Sequence, residues 1–206
     1  MIEINREQYQ ALQDKLVLRP RQILEIVVER LVARGLAKYH HADPFRNLRE
    51  SLFPYNKLFL LVPPLPLGLF EEPERLKEVM VKNLGWGIAS FNAAILVDEV
   101  WSPPEPYLIN RIEDGDDLLG IPAERVRERL ERRGRIPYTL WHGILHAAAF
   151  EEMVKYDMVC LGSPSQVGER WFPKVCTRAR ELLCHGEKET SPLAGFPSSS
   201  GSIISG

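Results

Sequence analysis

Two histidines four residues apart, His142 and His146, carry the strongest chemical signal in the chain. On a helix that spacing turns both imidazoles to one face, where they can share a metal ion. It is the spacing of the His-Glu-x-x-His helix of metalloproteases. The residue after His142 is Gly143, however, so the glutamate that serves as base in that motif is missing. Zinc at His142 and His146 would need a further ligand, for which Cys160, Cys176, Cys184, His185, Glu151 and Glu152 are the candidates. None of the cysteines forms a C-x-x-C pair. The same two histidines could instead act as general acid or base, or be neutral core residues. In the core each would need a partner, because an unpaired buried polar group costs roughly 1–3 kcal/mol. The core reading is the leading one.

A second candidate is electrostatic. Six arginines fall between Arg125 and Arg135, against Glu124, Glu128 and Glu131. Arg125, Arg129 and Arg133 recur every four residues and could bind phosphate or nucleic acid along one helix face. The alternative is a solvated helix laced with ion pairs. Two smaller clusters read first as solvated turns: His40, His41 and Asp43 at a helix exit, and the carboxylates Glu113, Asp114, Asp116 and Asp117 around Gly115. The acidic run lacks the alternating ligands and terminal glutamate of a calcium loop. Gly162-Ser163-Pro164-Ser165 follows an apolar run and could present N–H and hydroxyl groups to an anion. A Walker glycine-lysine pattern and a G-x-S-x-G elbow are both missing.

The elements that would position these residues follow from periodicity and punctuation. Between Tyr138 and Phe150 no residue is charged, in a chain that is 26% charged. A helix apolar on every side belongs inside a fold. Thr139 is its expected N-cap, and Gly143 with Ala147, Ala148 and Ala149 gives it one smooth side. Further helices are expected over 5–16, from Pro20 to near Gly35, over 73–84, and from Pro122 to about Arg133. Strands are expected over 57–62, 87–91, 94–100, 107–112, 158–161 and 170–175, with Pro173 marking an edge or a bulge. Between the first strand and the next helix, Pro63-Pro64-Leu65-Pro66-Leu67 reads as a stiff connector whose leucines are buried. A ligand for an aromatic groove is the other reading of such a segment. The mixed order favours α+β: a mixed sheet, a buried central helix and two N-terminal helices. One domain covers 1–206, with 1–42 as its helical start and 191–206 as a flexible tail rich in serine and glycine. Phe196, Ile203 and Ile204 are the residues that could anchor that tail.

Composition narrows the class further. Hydrophobic residues make up 45% of the chain, enough for a full core, and 26 basic against 28 acidic side chains leave a net charge of −2. Nothing in that balance invites nucleic acid or an anionic membrane. Three cysteines suit reduced thiols in the cytoplasm, and the polar start lacks a signal peptide's apolar core. The longest apolar stretch, 58–70, is broken by prolines and too short to cross roughly 30 Å of hydrocarbon as a helix.

Tyr107-Leu108-Ile109, Gly115, the run from Gly134 to Thr139, Gly143, Leu161-Gly162-Ser163 and Trp171-Phe172-Pro173 occur in an order that resembles a bacterial family of about this length. That family is classed as a domain of unknown function, and the resemblance covers the chain from about residue 58 onward. It implies a fold neighbourhood and no mechanism. In its pattern a glutamate precedes the glycine that matches Gly143, where this chain has His142. The expectation is therefore a cytoplasmic binding or interaction domain without catalysis, with self-association through the N-terminal helices as one option. A metal- or histidine-dependent enzyme at His142 and His146 is the first alternative. Phosphate or nucleic-acid binding through the arginines is the second.

Overall fold

The computed structural model describes residues 20–48, 59–67, 69–70, 72–90, 96–113, 115–150, 157–165, 170–176, 179–190, 192–193, 197, 199–200 and 202–205. The helix expected over 5–16 lies outside them, as does Phe196.

Helix α1 (Pro20–Ala33) starts on a proline, whose missing N–H is no loss in a first turn, and is followed by Gly35 at φ 67°. Its apolar side, Ile23, Leu24, Val27, Val28 and Leu31, is buried within the chain. A 3-10 turn (Tyr39–Ala42) and the short α2 (Asp43–Arg46) follow. There Arg46 joins Glu25 at 2.8 Å and Asp43 at 2.5 Å, which ties the turn to α1. The His40–Asp43 cluster is thus a helical turn held by an arginine. Helix α3 (Pro73–Lys77) widens into a π-helical turn over Glu78–Asn83, and Gly85 ends it at φ 66°.

Among the described residues the strands form three sheets. Strands β1 (Leu60–Val62), β3 (Tyr107–Asn110) and β9 (Ser202–Ser205) form an antiparallel sheet in the order β1-β3-β9. Strands β2 (Gly87–Ser90), β7 (Glu181–Lys188), β6 (Trp171–Cys176) and β5 (Met158–Val159) form a mixed sheet in that order, with β2 parallel to β7. A two-stranded ribbon pairs β4 (Ile136–Pro137) with β8 (Ser199–Ser200). The fold class is α+β, as the element order implied.

Helix α5 (Leu140–Phe150) is the expected central helix, and every residue in it except His146 is buried. It packs against α1, β1 and β6. A second, smaller core joins α4 (Ala123–Arg132) to the mixed sheet through Val126, Leu130, Val159, Leu161 and Phe172.

Three expectations change, and one of two readings is decided. The strand over 94–100 reduces, among the described residues, to a single bridge between Leu96 and Ser165. Val97 N–H donates to the Pro164 carbonyl, but a proline has no N–H to return a second bond and extend the ladder. Pro173, read as an edge or a bulge, sits at the irregularity in the β6–β7 register between Phe172 and Lys174, so the bulge reading holds. Leu65 and Leu67 are exposed, so the proline segment is not a buried connector. The described part of the tail is structured: β9 completes the first sheet, and Ile203 and Ile204 pack on the core.

Gly115 precedes the 3-10 turn over Asp116–Leu118, with φ 76° and a missing Cβ that would lie 2.6 Å from the Pro197 carbonyl oxygen. Replacing Gly115 by alanine combines a left-handed backbone with a clash against backbone. We expect a loss of roughly 1–3 kcal/mol in a urea melt with an unchanged m-value.

Candidate functional site

The first two turns of α5 and their partners gather five titratable groups shifted by burial: Asp98, Tyr107, Tyr138, His142 and His146. Thr139 is the N-cap: its hydroxyl accepts the His142 N–H at 3.3 Å. In return, His142 Nδ1 accepts the Thr139 N–H at 3.2 Å. This is a reciprocal capping box, with histidine at the third helical position in place of the usual glutamate or glutamine. Because Nδ1 accepts, the neutral ring carries its proton on Nε2, which lies 2.6 Å from the Tyr107 hydroxyl and donates to it. Tyr107 is in turn hydrogen-bonded to Ser102. Both nitrogens of His142 are therefore engaged in a ring only 1% exposed.

Ser163 completes the cap from a distant turn. Its hydroxyl oxygen accepts the Leu140 N–H at 2.7 Å, and its proton goes to the Asp98 carboxylate. The Ser163 hydroxyl, which such a turn could offer to an anion, is instead engaged by the start of α5 on one side and Asp98 on the other. Gly162 fits here because a Cβ would meet the Tyr138 carbonyl oxygen at 2.8 Å.

One turn further on, His146 is partly buried, with Nδ1 at 3.1 Å from the Tyr138 hydroxyl and its ring against Phe150. Burial acts on the whole group. It lowers His142 to about 3 and His146 to about 4. It raises Tyr107 to about 12, with Asp98 adding to the rise and the Ser102 hydrogen bond opposing it. It also lifts Tyr138 well above the phenolic range. Asp98 remains exposed as a residue, yet enclosure of its carboxyl raises its pKa against the lowering effect of the Ser163 bond.

The two histidines do share a helix face, as their spacing required. A zinc ion at His142 would have to displace either the Thr139 or the Tyr107 bond. Cys160 and Cys176 are buried thiols, and burial raises Cys176 to about 11, away from the thiolate a metal needs. Glu151 and Glu152 lie outside the described residues, as do the side chains of Cys184 and His185. Among the described residues, no three His, Cys, Asp or Glu side chains are gathered as a metal site.

The arginines of α4 divide into two sets. Arg133 pairs with Asp117 at 2.8 Å, while Arg125 and Arg129 are exposed and have no ion-pair partner among the described residues. The other set faces a cleft of about 620 Å³ that sequence reasoning missed. Arg127 from α4 and Arg170 from the approach to β6 both grip Glu99, and each guanidinium lies 5.9 Å from the centre of the Phe172 ring. Arg170 also reaches Glu189 at 3.1 Å. Arg135, only 9% exposed, binds Glu113 at 3.0 Å, the Ser199 hydroxyl at 2.9 Å and the Arg111 carbonyl at 2.6 Å. Five glutamates and three arginines line this cleft. The arginines are held by acids, and Glu124, Glu128 and Glu131 add a carboxylate row from α4. The only advance signal was spacing: 124, 128 and 131 fall on one helix face.

Comparisons of the chain with family models, curated proteins and solved structures gave no match. Among the described residues no helix is long and apolar enough to cross a membrane.

Proposed function

We propose that the chain is a binding or interaction domain that works without catalysis, and that its ligand-facing surface is the charged cleft beside α4. The observation that carries this reading is the division of labour between the two sites. The histidine cluster is tied into the helix cap and the core, whereas the cleft is open, preformed and lined by side chains from several elements.

Its charge favours a cationic ligand. Arg127, Arg135 and Arg170 are already neutralised by Glu99, Glu113 and Glu189, and Glu128 is paired with Arg132 at 3.4 Å, which leaves Glu124 and Glu131 to set the local sign. The ligand class is a polyamine or a short basic peptide. The test is calorimetric titration with spermidine and with an oligolysine peptide at low salt. Binding should weaken about tenfold when Glu124 and Glu131 are both replaced by glutamine, and should fall as salt rises. Lack of binding by either cation at low salt contradicts the reading. Retention on heparin that is lost on charge reversal at Arg129 and Arg133 would favour the arginine face instead.

A further inference from the structure

We infer that Glu99 is an internal occupant of a carboxylate subsite in the cleft, and that the ligand is a basic peptide whose free C-terminal carboxylate takes its place, which rests on the cleft being the ligand-facing surface. Two arginines from different elements make the subsite. Arg127 of α4 donates to Glu99 Oε2, and Arg170, just before β6, donates to Oε1. Each carboxylate oxygen thus has its own charged donor. The buried Phe172 ring lies 5.9 Å from each guanidinium carbon, and Arg170 is braced further by Glu189 at 3.1 Å. The pair is therefore set in place for a carboxylate by more than Glu99 itself.

Glu99 can leave this pair by turning its side chain alone. Its backbone is fixed separately: its N–H donates to the Gly162 carbonyl at 2.9 Å, and the neighbouring Asp98 carboxylate is tied to Ser163. Glu99, Arg127 and Arg170 all line the open cleft, so an incoming carboxylate meets the arginines from solvent and the displaced Glu99 stays within the cleft.

Exchanging one carboxylate for another gains nothing unless the newcomer brings a group that Glu99 lacks. The acids of α4 define that group. Glu124 stands three residues before Arg127 and Glu131 four residues after it, so both flank it on one helix face at about 5–6 Å. Both are exposed, and neither has an ion-pair partner among the described residues. An ammonium carried on the displacing molecule meets Glu124 or Glu131, together with the released Glu99. A simple anion lacks that cation, and a polyamine lacks the carboxylate. A peptide that ends in lysine has both.

Calorimetric titration at low salt, with trilysine as the free acid and as its C-terminal amide, tests the inference on the wild-type chain and on Glu99→Gln. The amide carries the greater positive charge, so charge alone ranks it above the free acid in an acid-lined cleft. We expect the reverse on the wild type, with the free acid about threefold or more tighter, a comparison that needs no variant to fold. Glu99→Gln keeps the side-chain length and uncovers the arginines, so the free acid should gain about tenfold while the amide gains nothing. Adding Arg170→Gln to that variant should remove the gain. Amide binding as tight as that of the free acid, or tighter, on the wild type overturns the inference and leaves the cation reading standing. An equal effect of Glu99→Gln on both peptides does the same. Absence of binding by either peptide to either protein contradicts the inference and the cleft reading together.

Discussion

Lowering the pH from 7 to 5 is expected to remove about 4 kcal/mol of folding stability, through His142 and His146. The sign follows from the direction of their shifts. Both imidazoles titrate near 6.5 when unfolded, but burial lowers them to about 3 and about 4 in the folded chain. Between those values the unfolded chain binds more protons, so stability is complete above about pH 6.5 and declines as the pH falls. Each histidine contributes roughly 1.4 kcal/mol per pH unit across that window, about 2 kcal/mol by pH 5. His146 stops contributing near pH 4 and His142 near pH 3. Asp98, whose pKa is raised, works weakly in the opposite direction as it protonates. His142→Gln separates the contributions, because glutamine at the third helical position can still accept the Thr139 N–H. That variant should retain most of its stability at pH 7 and show about half the wild-type loss between pH 6 and 5 in urea melts. His142→Ala should cost about 3 kcal/mol or more at pH 7, because it leaves the Thr139 N–H without its acceptor and removes one partner of the Tyr107 hydroxyl, and about 2 kcal/mol less at pH 5, where the wild-type histidine has already lost that much.

The second large effect is steric. Gly143 lies inside α5, where alanine would ordinarily add about 1 kcal/mol of helix stability. Its missing Cβ, however, would sit 2.6 Å from Cys160 Sγ and 3.2 Å from Val175 Cγ2. Cys160 is fully buried at the end of β5, and Val175 is a buried residue of β6, so neither can swing out to solvent. Overpacking at such a contact costs roughly 1–3 kcal/mol, and the clash should outweigh the propensity gain. Gly143→Ala should therefore lower the urea midpoint. The pair is diagnostic: in a Cys160→Ala background the same substitution should be close to neutral or stabilising, giving a coupling of about 1 kcal/mol or more. Equal effects in both backgrounds would mean that the helix does not approach the sheet this closely.

The central helix was readable because charge disappears from it and Thr139 stands at its start. Its smooth side was readable from Gly143 and the three alanines, although the thiol and valine that meet it were not. Thr139-x-x-His142 also held the capping box, but histidine at the third position reads as chemistry before it reads as a cap. A glutamate there would have announced the same hydrogen bond. Strand β7 gave little warning, because Glu181, Gly186, Glu187 and Lys188 interrupt any alternation and its pairing is made with residues distant in sequence. Strand β9 was obscured by tail composition, since Ser-Ile-Ile-Ser gains its meaning only beside β3. The cleft was hidden for a similar reason: Glu99, Arg127, Arg170 and Glu189 meet only in the fold.

His142 is a neutral capping residue whose two nitrogens are both engaged. Nitrogen-15 spectra of the imidazoles, followed through a pH titration with and without added zinc, test this directly. The prediction is one neutral tautomer, protonated on Nε2, that persists to about pH 5 and does not respond to zinc. A His142 ring that titrates near 6.5, or whose nitrogen signals move when zinc is added, would contradict it.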